Sequence, residues 1–142
     1  MYTATKEFRF EAGHCLDKHP GKCANLHGHN YVVLVTLGAE QLNEMDMVED
    51  FYKISTFAKP FFEAFDHAFI YNTNASSSFE HEIAEVCLKH DRKVIKLPFR
   101  ATAENMAKYF YNSLNQMAGN QPFKITKITV YETASSFATY EE

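Results

Sequence analysis

Residues 23–38 read Cys-Ala-Asn-Leu-His-Gly-His-Asn-Tyr-Val-Val-Leu-Val-Thr-Leu-Gly. From His29 to Gly38 the stretch is β-branched and apolar on both faces, which predicts a strand inside a sheet that is covered on both sides. If the chain is already extended at His27, side chains two apart share a side, so His27 and His29 converge while Gly28 faces away. That pair is a two-point clamp for a metal ion, with the Cys23 thiol a few residues before it.

The same parity finds a third nitrogen upstream. Residues 4–14 read as a strand whose one face carries Phe8, Phe10, Ala12 and then His14. Pairing 4–14 antiparallel with about 27–38 sets His14 beside His27 and His29. Three neutral imidazoles with a fourth position open is the donor set of a catalytic zinc site. An isolated His-Gly-His is more often a turn or a strand end, and a lone strand-end histidine is by default simply hydrogen-bonded. The phased strand, the pair and the nearby thiol together favour the metal reading.

A chain of 142 residues with 46% hydrophobic and 15% aromatic content suits one domain with ample core material, which excludes a wholly disordered protein. The net charge of -4 and the absence of any lysine or arginine run exclude nucleic acid as the expected partner. No segment approaches the ~18 apolar residues of a membrane span, and Met1–Lys6 lacks the apolar core of a signal peptide, so no membrane partner is expected and the chain is expected to be soluble and cytoplasmic. Cys15, Cys23 and Cys87 leave one cysteine unpaired in any scheme, which fits a reducing compartment and leaves Cys23 available as a thiol.

Beyond Asp50 the period becomes helical, with Ile54, Phe57, Ala58, Phe61, Phe62 and Phe65 on one stripe and a kink expected at Pro60. Such aromatic stripes are usually core, so this one is expected to pack on the sheet. A loop from Asn72 to Ser78, a short amphipathic helix through Phe79, Ile83, Val86, Cys87 and His90, and a brief strand at Val94–Leu97 follow. Thr102 is a good N-cap for a second long helix carrying Met106, Tyr109, Phe110, Leu114 and Met117, which Gly119 ends. Residues 124–132 and 137–141 close the chain as a hairpin. The expected architecture is α+β, an antiparallel four-stranded sheet with two long helices on one face, formed by residues 1–142 as a single domain.

Other positions carry possible chemistry. Ile128, Val130 and Glu132 share a face, which turns a carboxylate inward or into a subunit seam, although a strand-end glutamate is ordinarily solvated. Asp66-His67 sets an acid beside an imidazole at a helix end, able to orient a tautomer or relay a proton. Asp50 is more simply a helix N-cap, and His19, His81 and His90 have no spacing partner. Cys23 has two readings, as a fourth ligand closing a structural site or as a free thiolate acting as base or nucleophile. Spacing does not choose between them.

Phe10-Glu11-Ala12-Gly13-His14, Cys23 with His27-Gly28-His29, Asp50-Phe51, Asp66-His67, Thr102-Ala103-Glu104-Asn105 and Val130-Tyr131-Glu132-Thr133 resemble, in order and kind, the motifs of the 6-pyruvoyl-tetrahydropterin synthase family. The resemblance covers nearly the whole chain and is nearest to the family's queuosine-pathway branch, the 6-carboxytetrahydropterin synthases. It implies zinc held by His14, His27 and His29, Cys23 as the proton-abstracting base, Asp66 and His67 as a relay pair and Glu132 as the anchor of the pterin ring. It also implies that the backbone at Thr102 and Ala103 helps hold the pterin. The implied fold is the tunnelling fold, with trimers closing a barrel, two trimers stacking into a homohexamer and active sites at subunit seams. The implied partner is a pterin triphosphate, for which Lys18, Lys22 and Arg100 are candidate contacts.

The branch rests on the three residues between Cys23 and His27, since the biopterin-forming branch tends to a longer interval and a folate-linked branch has glutamate in place of the cysteine. The implied alternatives are a 6-pyruvoyl-tetrahydropterin synthase, an aldol-cleaving relative, and a noncatalytic zinc or pterin binder. Two departures stand out. Ala101 replaces a frequent proline, and residues 73–101 form a longer connection than usual, read as an insertion.

Overall fold

The computed structural model describes residues 1–142. The antiparallel pair that parity called for forms the centre of a six-stranded mixed sheet. β1 (Tyr2–His14) runs against β2 (His27–Ala39) with Phe8 opposite Val33, Phe10 opposite Tyr31 and His14 opposite His27. The strand order is β4-β3-β1-β2-β5-β6. β5 (Lys124–Thr133) and β6 (Ser136–Glu141) extend it as an antiparallel hairpin, while β3 (Ala68–Asn72) and β4 (Val94–Leu97) add a parallel pair beyond β1.

The expected four-stranded sheet is therefore six-stranded. The antiparallel four were all anticipated, and the correction lies at β3. Ala68-Phe69-Ile70-Tyr71-Asn72 is too short and too uniformly buried to show a period of two, so nothing in its pattern marks it as strand. Its pairing with β1 is confined to Ala12 and Gly13, which leaves most of β1 open on the side away from β2.

Two long helices cover one face. α1 (Phe51–Glu63) begins at Asp50, whose carboxylate accepts the Tyr52 N–H at 2.7 Å, and sends Ile54, Ala58 and Phe62 into the core. It continues unbroken through Pro60; that residue and Thr56, whose carbonyl loses a partner there, are both exposed, so water can serve the orphaned group. α3 (Ala103–Ala118) buries Met106, Phe110 and Leu114. These meet Phe8, Phe10, Tyr31, Val33, Val35, Ile125, Ile128 and Val130 in one core of 25 residues. Phe10 stacks on Tyr31 at 4.9 Å, and Phe62 meets Phe110 edge-on at 5.3 Å.

Ile125 and Ile128 are three apart and could not share a face of a regular strand. A bulge between Thr36 and Leu37 of β2 leaves Thr126 as an extra residue and restores both to the core.

α2 (Ser78–Lys89) lies elsewhere. Ile70 belongs to the main core, whereas its neighbour Phe69 packs with Cys15 and Ala84 in a separate cluster that includes Ile83 and Cys87 of α2. Adjacent residues of a strand point to opposite faces, so α2 covers the face opposite α1 and α3. The segment 73–101 thus does not merely interrupt the chain; it widens the sheet and covers its far side.

Candidate active site

The β1–β2 register makes His14 and His27 direct cross-strand partners and puts His29 opposite Ala12, so all three rings come to the helix-covered face. One ligand-capable atom from each of His14, His27 and His29 lies within 4.8 Å of the others, and this converging group contains no thiol. Cys23 sits in a 3-10 turn, Lys22–Ala24, whose Cys23 carbonyl accepts the Leu16 N–H at 2.8 Å.

The hydrogen bonds behind the rings settle their tautomers. His14 Nδ1 donates to the Ala101 carbonyl at 2.9 Å and His27 Nδ1 donates to the Asn25 carbonyl at 2.8 Å. A carbonyl only accepts, so in the neutral rings both Nε2 atoms carry lone pairs, and these face each other at 3.0 Å. A shared cation converts that contact from repulsive to binding. His29 Nε2 is buried with no hydrogen-bond partner at all, and the nearest carboxylate oxygen, Glu132 Oε2, stands 3.9 Å away. Three nitrogens, two oriented from behind by main-chain carbonyls and one left orphaned, fit a zinc-type ion.

Burial, then the His27 ring, lower the His14 pKa to about 4, so it is neutral and ligand-competent at physiological pH. Burial also lowers that of His29, against the opposing pull of Glu132. Tyr31 extends the same parity; its hydroxyl lies 3.2 Å from His14 Nδ1 and burial keeps it protonated.

Thr102 caps α3 by accepting the Asn105 N–H at 3.2 Å, and Ala103 is buried just inside the helix. The contact that ties this segment to the three imidazoles is the Ala101 carbonyl. A proline at that position would present the same group, so the departure from the family pattern costs nothing here.

Asp66 and His67 form a tight turn after α1. Asp66 Oδ2 accepts from His67 Nδ1 at 2.9 Å, Asp66 Oδ1 accepts the Glu11 N–H at 2.9 Å, and the His67 N–H donates to the Glu11 carbonyl at 2.6 Å. The Glu11 N–H, then His67, hold the Asp66 carboxyl below the usual range. His67 has a left-handed backbone, φ 59°, and a largely exposed ring.

His67 lines a cavity of about 560 Å³ with Glu11, Gly13, Gly28, Asn30 and Cys87. Gly13 and Gly28 are partners across β1–β2 and face away from the imidazoles, so this cavity belongs to the α2 face. Within one chain, then, the three imidazoles and Glu132 lie on the helix-covered face and His67 lines the cavity on the other, a lining that His29 also joins. Lys18, Lys22 and Arg100 are all exposed. His81, which has no spacing partner in the sequence, donates from Nε2 to the Ala75 carbonyl at 2.6 Å and is hydrogen-bonded to the Tyr71 hydroxyl.

Solved structures place this architecture among tunnelling-fold domains. An uncharacterised protein of Wolinella succinogenes superposes with a TM-score of 0.85 over 99% of this chain and 98% of its own, at 21% identity. The 6-pyruvoyl tetrahydropterin synthase of Caenorhabditis elegans does so with 0.71 over 99% and 95%, at 24% identity. The family model for 6-pyruvoyl tetrahydropterin synthase matches residues 3–142, and the chain belongs to that family. Among its relatives, the 6-carboxy-5,6,7,8-tetrahydropterin synthase of Aquifex aeolicus is 37% identical over 97% of this chain and 96% of its own. The Haemophilus influenzae protein of the same name is 36% identical over the full length of both chains.

Proposed function

We propose that the chain is a zinc-dependent 6-carboxy-5,6,7,8-tetrahydropterin synthase, a lyase that converts 7,8-dihydroneopterin triphosphate and one water to 6-carboxytetrahydropterin, acetaldehyde and triphosphate. The observation that carries the reading is the convergence of His14, His27 and His29 with their rear nitrogens anchored, on a chain whose full-length relatives bear that name. When bound, zinc supplies Lewis-acid stabilisation of negative charge developing on the substrate's side-chain oxygens.

The protein's own groups do the rest. Cys23 takes a carbon-bound proton as its thiolate, and His67, with Nδ1 held by Asp66, returns or shuttles one from Nε2. Glu132 accepts N–H bonds from the guanidine-like edge of the pterin, and the backbone at Thr102 and Ala103 steadies the ring. Because the imidazoles lie on the helix-covered face of the sheet and His67 lines the cavity on the other, we place each complete site at a seam between subunits of a cytoplasmic homohexamer. The open side of β1 and the outer edge of β6 offer the unpaired main-chain groups from which such an assembly is built. No helix is long and apolar enough to cross a membrane.

The test is product identification with zinc-loaded protein and 7,8-dihydroneopterin triphosphate. Acetaldehyde and the 6-carboxy product are expected. A pyruvoyl product without acetaldehyde would move the chain to the biopterin-forming chemistry, and no turnover would leave a pterin or zinc binder.

A further inference from the structure

Residues 73–101 return the chain to the relay turn through Lys93. The Lys93 carbonyl accepts the Phe69 N–H at 3.0 Å at the start of β3, and its ammonium reaches back under the turn between α1 and β3. There Nζ donates to two main-chain oxygens at 2.7 Å each, those of Glu63 and Asp66. The Glu63 oxygen, at the end of α1, also accepts the Asp66 N–H at 3.2 Å. The Asp66 oxygen matters more, because it belongs to the peptide unit joining Asp66 to His67.

That peptide unit is pinned at both polar ends. Its C=O is held by Lys93 and its N–H by the Glu11 carbonyl at 2.6 Å. The plane so fixed is the one about which His67 adopts φ 59°, a conformation that a β-carbon disfavours and that needs outside support. The support aims the imidazole, keeping Nδ1 on Asp66 and setting Nε2 3.5 Å from the Glu11 carboxylate, which lines the same cavity as His67.

We propose that Lys93 is a positioning residue for His67, and that the long connection between β3 and β4 mounts the relay imidazole. This rests on the reading of His67 as a proton relay. Lys93 touches no reacting atom; it acts through the Asp66–His67 peptide.

The experiment compares Lys93→Met and Lys93→Arg in the full-length, zinc-loaded oligomer. Lys93→Met is expected to lower kcat about tenfold or more with KM within about twofold and zinc content unchanged, because the relay is misaimed while the metal face is intact. The ¹⁵N resonances of the His67 imidazole are expected to lose their single-tautomer signature. Lys93→Arg, which keeps a donor for both carbonyls, is expected to restore most of both. A Lys93→Met enzyme with wild-type kcat and an unaltered His67 tautomer would overturn the proposal, as would an Arg variant no better than the Met variant. If the wild-type protein does not turn over the pterin, the relay reading falls on its own, and the tautomer signal in Lys93→Met then decides whether Lys93 orients His67.

Discussion

His14 and His27 face each other across β1 and β2 with their Nε2 atoms 3.0 Å apart, each ring donating from Nδ1 to a main-chain carbonyl behind it. Two lone pairs at that distance make the metal-free site self-repelling. One zinc per chain is therefore expected on elemental analysis, and His27→Ala should weaken binding at least a hundredfold. Because the ion binds the folded chain and not the unfolded one, a concentration of 100 times its Kd should add about 2.7 kcal/mol of stability. Chelation should accordingly lower the melting temperature, and an unchanged melt would argue against a bound ion.

Cys23 lies outside the converging group, so Cys23→Ala should keep stoichiometric zinc while turnover falls by about 10²–10⁴-fold, the usual worth of a general base. Loss of the metal in this variant would make the thiol a ligand instead.

Glu80 gives a pH signature. Its Oε1 accepts the Asn72 N–H at 2.8 Å and its Oε2 is buried without a partner. Burial raises its pKa above the unfolded value. A raised folded-state pKa contributes stability that is fully present below the unfolded pKa and is lost as pH rises through the folded one. Glu80→Gln keeps the acceptor for Asn72 and carries no charge to bury. Its melting temperature should therefore exceed the wild type's near pH 7.5, with the advantage shrinking toward pH 4. A constant offset at every pH would sink this account.

Cys15, one residue beyond a proposed zinc ligand, is 3% exposed, and burial, with Glu80 and Asp17 nearby, pushes its thiol up to about 12. Peptide mapping after iodoacetamide treatment of native protein at pH 8 should find Cys15 unmodified, and fully modified only after denaturation. Rapid native labelling would mean that the small cluster under α2 opens readily.

The strands and their chemistry were legible where side-chain parity carried the signal. Phe8, Phe10, Ala12 and His14 sharing a face led to the antiparallel register and hence to the three imidazoles, and Tyr31 could have been found by the same rule. What escaped depended on main-chain partners or on the third dimension. The Ala101 carbonyl has no residue-type signature, and Lys93 sits 27 residues from the oxygen it holds. The amphipathic pattern of α2 shows that one side is buried but not which face of which sheet buries it, and β3 had no alternation to read. The bulge at Thr126 interrupts the alternation that joins Ile125 to Ile128.

The position of α2 separates two histories within one sheet. Substitutions along α2 itself fall on the far side from His14, His27 and His29, whereas Ala101, which ends the same connection, backs His14 directly, so the two faces can vary separately only as far as α2 reaches.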